Sequence, residues 1–388
     1  MRVIVLPSTY PRDQNDPRGV FYRDHAIALQ RAGAEVTVIA PIMHALNRLP
    51  CSPMKFINRD SDENGIRTII HEFVGCFPKL PYLTCLQWAK AAERMLYLFV
   101  ERHGAPDFVH AHCAVNAGYA AYRFSRKSGI PYLITEHSTG YRRGIYNKSQ
   151  INISKKVFNS ANARIAVSKQ QAVLMADQFS GQGEWVAVPN ALSAEFHDHE
   201  PVHGREPGMP FTFVSVGYLK PIKDHALLLK ALRSVTRSRE HVRLVIVGDG
   251  PEKMKLLSLA KQLGIQDKVT LTGILPRTQV RETLDSADSF VLPSQYETFG
   301  VVVIEALSRG LPVIATRCEG PNDIITPKNG LLVPIGEANL LAAAMIEIME
   351  KFSDFDKQVI RRDACKKYGP ESVGTALLNC AGNSAGIR

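Results

Sequence analysis

The chain has 388 residues, 45% of them hydrophobic and 22% charged, and a formal net charge of +10. That length exceeds one comfortable hydrophobic core and sets two domains as the expectation, and no run approaches the apolar length needed to span a membrane. The seven cysteines are an odd number without a Cys-x-x-Cys pair, so they read as reduced thiols of a cytosolic protein, with neither a disulfide frame nor a zinc site.

The opening strand-length run Met1–Leu6 stops at Pro7, so no signal peptide is expected from this pattern. From there, short β-branched runs alternate with longer helical patterns. Strands are expected at Glu35–Ala40, Phe108–His112, Tyr132–Thr135, Ala163–Val167 and Trp185–Val188, with helices such as Phe21–Ala32 and Leu83–Arg102 between them. Residues 198–210, rich in Pro, Gly, His and charge, form a linker. The scheme then repeats, with strands at Phe211–Val216, Val242–Val247, Lys268–Leu271, Ser289–Leu292, Pro312–Ala315 and Leu331–Val333. Such alternation predicts an α/β chain of two Rossmann-like, doubly wound parallel-sheet domains facing a central cleft. The expected boundaries are 1–197 for a basic first domain and 211–368 for a second domain. Residues 369–388 follow as a segment that returns to the first domain and frays at its end.

The positive charge is uneven. Residues 1–195 carry 23 Lys and Arg against 15 Asp and Glu, and the remainder 24 against 22. Clusters at Arg123/Arg126/Lys127, Arg142/Arg143 and Lys155/Lys156 supply much of the excess, and each by itself reads as a solvated face. No aromatic interleaving and no nucleic-acid motif accompanies them. Anionic lipid head groups are therefore the partner expected for the first half.

Several short motifs sit where strands end. Pro17-Arg18-Gly19-Val20-Phe21 places one glycine before a helix, where a phosphate can approach the backbone; an ordinary loop explains it equally well. Asp60-Ser61-Asp62 reads as a solvated polar loop. His110 and His112 alternate on one strand and share a face, but no third ligand at plausible spacing follows, so no metal is expected. His137, beside Glu136, ends the next strand at the rim where ligands dock. Gly217 follows a strand and precedes Lys220 and Lys223, a loop suited to a diphosphate. Gly248-Asp249-Gly250-Pro251 is half a dinucleotide fingerprint, but Lys253 stands where its third glycine belongs, so NAD is not supported.

The strongest stretch is Pro293-Ser294-Gln295-Tyr296-Glu297-Thr298-Phe299-Gly300, running into Val301–Leu307. It sets two carboxylates, Glu297 and Glu305, across a strand-turn-helix junction, the second inside an aliphatic helix. A carboxylate in such surroundings needs a polar or cationic partner, since burying it alone is costly; helix-dipole complementation is the plainer structural reading for the first. The amides of Phe299, Gly300 and Val301 open the helix and suit a phosphate oxygen. A sugar at the mouth and a ribose deeper in fit the separation of the two acids.

With these residues in view, the chain resembles the retaining glycosyltransferases of family 4, which have the GT-B fold, and in particular bacterial enzymes of surface-polysaccharide synthesis. The resemblance rests on Pro293–Gly300 through Glu305-Ala306, on Gly310–Ala315, on Gly320-Pro321, and on Val188-Pro189-Asn190, Val247–Pro251 and Leu271-Thr272-Gly273. It implies Glu297 on the donor-sugar hydroxyls, Glu305 on the ribose, and Phe299, Gly300 and Val301 on the sugar and distal phosphate. It further implies Lys223 and the Gly217 loop on the diphosphate, Gly19 near phosphate and acceptor, and His137 at the reaction centre. Glu297, His137 and Lys223 are thus the expected catalytic set.

No metal and no cofactor are implied beyond the nucleotide diphosphate sugar, which is itself substrate. The chain departs from the pattern at Tyr218, where arginine is usual, with Lys220 the replacement at hand, and at Ala191, where glycine is usual. The expected acceptor is a glycan or a polyprenyl-diphosphate-linked glycan, with peripheral attachment to the cytoplasmic face of an anionic membrane. A nucleotide-sugar epimerase or hydrolase of the same architecture and a non-catalytic nucleotide-sugar binding module are the competing readings.

Overall fold

A computed structural model describes residues 1–12, 16, 18–45, 58–179, 183–201 and 208–385. Of the expected motifs, Pro17 and positions 202–207 of the linker lie outside the described residues. The chain divides into two units, Met1–Ala191 with Pro370–Arg388, and Leu192–Gly369.

The first unit contains β1 (Arg2–Pro7), β2 (Glu35–Ala45), β3 (Asn58–Glu63), β4 (Ile66–Gly75), β5 (Phe108–His112), β6 (Tyr132–Glu136), β7 (Ala163–Ala166) and β8 (Trp185–Ala187). They form one sheet in the order β3-β4-β2-β1-β5-β6-β7-β8. All neighbours are parallel except β3, which pairs antiparallel with β4. One face packs against Trp88, Leu96, Phe99, Phe124 and Phe158. The other packs against Leu29 of the helix Val20–Arg31 and against Val373 and Leu377 of the last helix, Pro370–Ala385. Helices on both faces are what continuous apolar strands such as Val3-Ile4-Val5-Leu6 demand.

The β3–β4 hairpin corrects the expectation of a solvated loop at Asp60-Ser61-Asp62. Asn64 and Gly65 both have positive φ (57° and 78°) between the paired residues Glu63 and Ile66, the two-residue turn whose twist suits a hairpin. Asp60 is held by Arg67 through a forked pair of bonds of 2.9 and 2.6 Å, and Asp62 accepts from the Gly65 amide at 2.8 Å. Those acids are therefore engaged in structure. The strand is polar because it is the edge of the sheet, where burial is slight.

In the second unit β9 (Phe211–Val216), β10 (Val242–Val247), β11 (Val269–Gly273), β12 (Ser289–Leu292), β13 (Val313–Thr316) and β14 (Gly330–Val333) run parallel in the order β11-β10-β9-β12-β13-β14. Phe211, Phe213, Leu228, Leu232, Leu244, Ile246, Ile314 and Met345 make its main core.

The unit boundary falls at Ala191/Leu192, six residues before the expected end of the first domain. The reason is local bonding. Leu192 donates its amide to Tyr368 at 2.8 Å, Glu195 pairs with Arg281 at 2.7 Å, and the buried Arg309 donates to the Phe196 carbonyl. At the other end, Gly369-Pro370 stops the helix Lys357–Tyr368 and starts the helix that lies on Val20–Arg31. Among the described residues no helix is long and apolar enough to cross a membrane.

Gly374 lets that last helix touch its neighbour backbone to backbone, since a Cβ there would stand 1.9 Å from the Ala28 carbonyl oxygen. Gly374→Ala should cost about 1–3 kcal/mol by forcing the helices apart. Urea unfolding reads the loss, and hydrogen exchange should place the new opening in 20–31 and 370–385; an unchanged midpoint would show that the contact contributes nothing.

Candidate active site

In the second unit the chain reverses its winding between β9 and β12, which lie side by side although β10, β11 and their connecting helices separate them in sequence. Loops leaving adjacent strands at such a point diverge and leave a crevice beyond the carboxyl ends. The loop after β9 carries Gly217–Lys223 and the loop after β12 carries Pro293–Gly300, so the topology itself joins the two segments singled out in the sequence.

Direct bonds tie them. Gln295 donates its amide to Ile222 at 2.9 Å and its side chain to Asp224 at 2.9 Å, while Asp224 also caps the helix His225–Val235 through the Leu227 amide. Between these ties the Lys223 ammonium donates to the Glu297 carboxylate. Both side chains keep part of their surface in solvent, Lys223 25% and Glu297 15%. The acid and the base expected to handle sugar and diphosphate thus neutralise one another at one point.

Gly300 caps the helix Val301–Ser308 with φ 95° and ψ 63°, a left-handed conformation that glycine adopts without strain. The first amides of the helix, from Val301 onward, have no carbonyl a turn earlier to bond. The Gly320-Pro321 motif braces this turn from outside. A Cβ at Gly320 would lie 2.1 Å from the Phe299 backbone, and the Gly320 amide donates to the Glu297 carbonyl at 2.9 Å.

One helical turn further in, Glu305 is only 5% exposed. Burial raises its pKa, and the charge and hydrogen bond of Arg277 pull it back. Arg277 Nη2 donates to Glu305 Oε1 at 2.7 Å and to the Ser193 hydroxyl at 2.7 Å. Arg277 was not found by sequence reasoning. It opens the helix Arg277–Asp285, and no spacing relates it to Glu305; the one available signal was that a carboxylate in an aliphatic helix requires a cation somewhere.

The half-fingerprint Gly248-Asp249-Gly250 has a structural explanation. A Cβ at Gly248 would stand 2.0 Å from the Gly217 carbonyl oxygen and one at Gly250 2.5 Å from that of Leu219, while Leu219 donates to Asp249 at 2.9 Å. The segment clamps the Gly217–Lys220 loop from behind. Tyr218 in that loop is exposed, with the Lys220 ammonium 4.8 Å from its ring centroid, so the cation at hand there belongs to Lys220.

Gly19 and His137 belong to the first unit. Gly19 caps the helix Val20–Arg31 with φ 71°, and a Cβ would meet the Thr9 carbonyl oxygen at 2.7 Å, so glycine is required by the turn whatever binds nearby. His137 follows β6 and is 9% exposed. Its Nε2 lies 2.9 Å from His112 Nδ1, and its ring packs among Phe21, Tyr22 and His25. The neighbouring Glu136 is wholly buried and accepts from the amides of Ala114, His137 and Ser138 at 2.9–3.0 Å. It organises the loop that presents His137.

The histidines correct one inference from the sequence. His110 and His112 do share a face of β5, and a third histidine joins them: His25 from the helix Val20–Arg31, with one ring nitrogen of each within 4.8 Å of the others. Sequence spacing concealed it because the helix returns from the far side of β1. Burial lowers the pKa of His25 to about 4 and of His110 to about 3, and that of His112 falls well below the ordinary value for the same reason.

Comparison with known proteins identifies the family and the fold. Residues 19–196 match the family described as Glycosyltransferase Family 4, and residues 198–371 match Glycosyl transferases group 1. The Bacillus subtilis (strain 168) protein TuaC, named for teichuronic acid biosynthesis, is 30% identical over 89% of this chain and 88% of its own length. A GDP-mannose-dependent alpha-mannosyltransferase of Mycolicibacterium smegmatis is 27% identical over 90% of both chains. Among solved structures, sucrose-phosphate synthase from Thermosynechococcus elongatus superposes over the whole chain with a TM-score of 0.78 at 20% identity. Anabaena Alr3699/HepE in complex with UDP does so over 99% of this chain and all of its own, with a TM-score of 0.71 at 16% identity. The chain belongs to the family 4 glycosyltransferases and has their two-domain, parallel-sheet GT-B fold.

Proposed function

We propose that this glycosyltransferase moves a hexose from a nucleotide diphosphate sugar to a glycan or polyprenyl-diphosphate-linked glycan in bacterial polysaccharide synthesis, with retention of anomeric configuration. The observation that carries the reading is the Lys223–Glu297 pair at the mouth of the Gly300-capped helix. A donor entering there separates the pair: the ammonium turns to the diphosphate and the carboxylate accepts from sugar hydroxyls. Each charge exchanges one partner for another, so neither is left uncompensated on binding.

Departure of the nucleotide leaves negative charge on the distal phosphate. Lys223 and the helix-start amides at Phe299, Gly300 and Val301 are fixed donors aimed at that charge, which is the arrangement that lowers such a barrier without a metal at the diphosphate. In a front-face transfer the leaving phosphate takes the proton of the acceptor hydroxyl, and no enzyme nucleophile is needed. Glu305, oriented by Arg277, accepts from the ribose hydroxyls; His137 and the Gly19 turn serve the acceptor side. The relatives named for teichuronic acid synthesis and mannosyl transfer support the reaction class.

The surface of the first unit supports a peripheral membrane role on the cytoplasmic face. Along the helix Pro81–His103, Tyr82, Tyr97 and Leu98 are exposed together with Lys90, Arg94 and Arg102. Apolar tips among cations suit an anionic lipid surface.

Glu297→Ala and Lys223→Ala should each lower kcat/KM by at least about 100-fold while the fold persists. The donor for this assay comes from a thermal-shift screen of UDP-, GDP- and ADP-sugars, since a ligand that binds the native form raises its melting temperature. Near-normal transfer by Glu297→Ala would sink the assignment, and donor consumption without any acceptor would indicate an epimerase or hydrolase instead. On vesicles containing anionic lipid, the protein should sediment at low salt and be released at high salt. Lys90→Glu/Arg94→Glu should weaken that binding, and indifference to lipid charge would remove the membrane from the reading.

A further inference from the structure

The three buried histidines of the first unit have no role in the transfer just described. His25 is 0%, His110 1% and His112 0% exposed. Among their ring nitrogens, His110 Nδ1, His112 Nε2 and both nitrogens of His25 have no hydrogen-bond partner. Buried polar atoms are nearly always satisfied, and here each of three neighbouring rings leaves at least one nitrogen unsatisfied, while one nitrogen of each ring lies within 4.8 Å of the other two.

The surroundings look like the outer shell of a metal site. Histidines that hold a metal through one nitrogen usually give their other N–H to an acceptor, which fixes tautomer and ring plane. For His110 that acceptor is the Thr135 hydroxyl, 2.7 Å from Nε2. For His112 it is His137 Nε2, 2.9 Å from Nδ1. Beside His25 stands the Asn190 side chain, whose Oδ1 has no partner. His110 and His112 thus hold an outer group on one nitrogen and leave the other bare, and His25 leaves both bare.

We propose that His25, His110 and His112 bind one borderline divalent transition metal ion, zinc being the best match, within the first unit. Three neutral imidazoles with water in the fourth position suit tetrahedral zinc. Zn–N distances near 2.0–2.1 Å place ligand nitrogens roughly 3.4 Å apart, so nitrogens now up to 4.8 Å apart close by at most about 1.4 Å when the ion enters. The centre joins the helix Val20–Arg31 to β5 across the turn capped by Gly19. Through His112 it also sets His137: metal on His112 Nε2 puts that ring's proton on Nδ1, which donates to His137 Nε2. This inference is independent of the glycosyl-transfer reading, and metal content is measured without donor or acceptor.

The test uses tag-free, full-length protein grown with added zinc and gel-filtered in chelator-treated buffer. Elemental analysis should find about one zinc per chain, and replacement by Co2+ should give the visible absorption of a tetrahedral histidine site. His25→Gln and His110→Gln should lose the metal, whereas His225→Gln, a buried histidine of the second unit, should retain it. The wild-type measurement stands even where a variant does not fold. Less than about a tenth of an equivalent in folded wild-type protein, with no cobalt spectrum on reconstitution, overturns the proposal. So does full metal content in a folded His25→Gln.

Discussion

A carboxylate taken out of water must find a cation or a set of N–H donors, and this requirement shapes the site more than any other. Glu305 is nearly inaccessible and meets Arg277; Glu136 is fully buried and collects three backbone amides; Asp285 meets the wholly buried Arg309. Removing one member of a buried pair costs about 3–5 kcal/mol because the other charge is then stranded. These acids are therefore as fixed in position as apolar core residues. Glu297 differs in that its partner Lys223 and the acid itself both keep solvent access, so the pair can open. A site needs that combination of a locked acid and an exchangeable one to bind a charged substrate without paying for two stranded charges.

The second constraint is steric. Glycine appears where backbone must meet backbone: Gly248 against Gly217, Gly320 against Phe299, Gly374 against Ala28. The first two hold the loops after β9 and β12 in shape, and these are the loops that the reversal of winding sets side by side. Loop geometry, ion pair and helix start are thus one assembly, braced from behind by Gly248 and Gly320.

Much of this was legible in the chain. Alternating apolar runs and helical patterns predicted eleven strands within a residue or two and the start of a twelfth, β2, which runs five residues further, because parallel strands buried on both faces leave an apolar signature. The Glu297–Glu305 segment was legible because acids inside an aliphatic helix need an explanation. The β3–β4 hairpin was not read, although Asn64-Gly65 beside the alternation of Ile66, Thr68 and Ile70 was a usable sign; a polar edge strand looks like a loop when its partner is unseen. The half-fingerprint at Gly248 lacks its third glycine, and its clamping role depends on a loop about thirty residues earlier and could not be inferred from local pattern.

Local chemistry, which a linear string records completely, determined the layered α/β architecture, the strand ends that carry the chemistry, and the acid and lysine expected to serve it. Only the tertiary structure decided which distant groups meet: Arg277 with Glu305, Lys223 with Glu297, His25 with His110 and His112. The reason is physical. Periodicity and turn chemistry act over a few residues, whereas partners for buried charge and for unpaired imidazole nitrogens are assigned by packing, which brings together positions tens of residues apart and leaves no trace in their spacing.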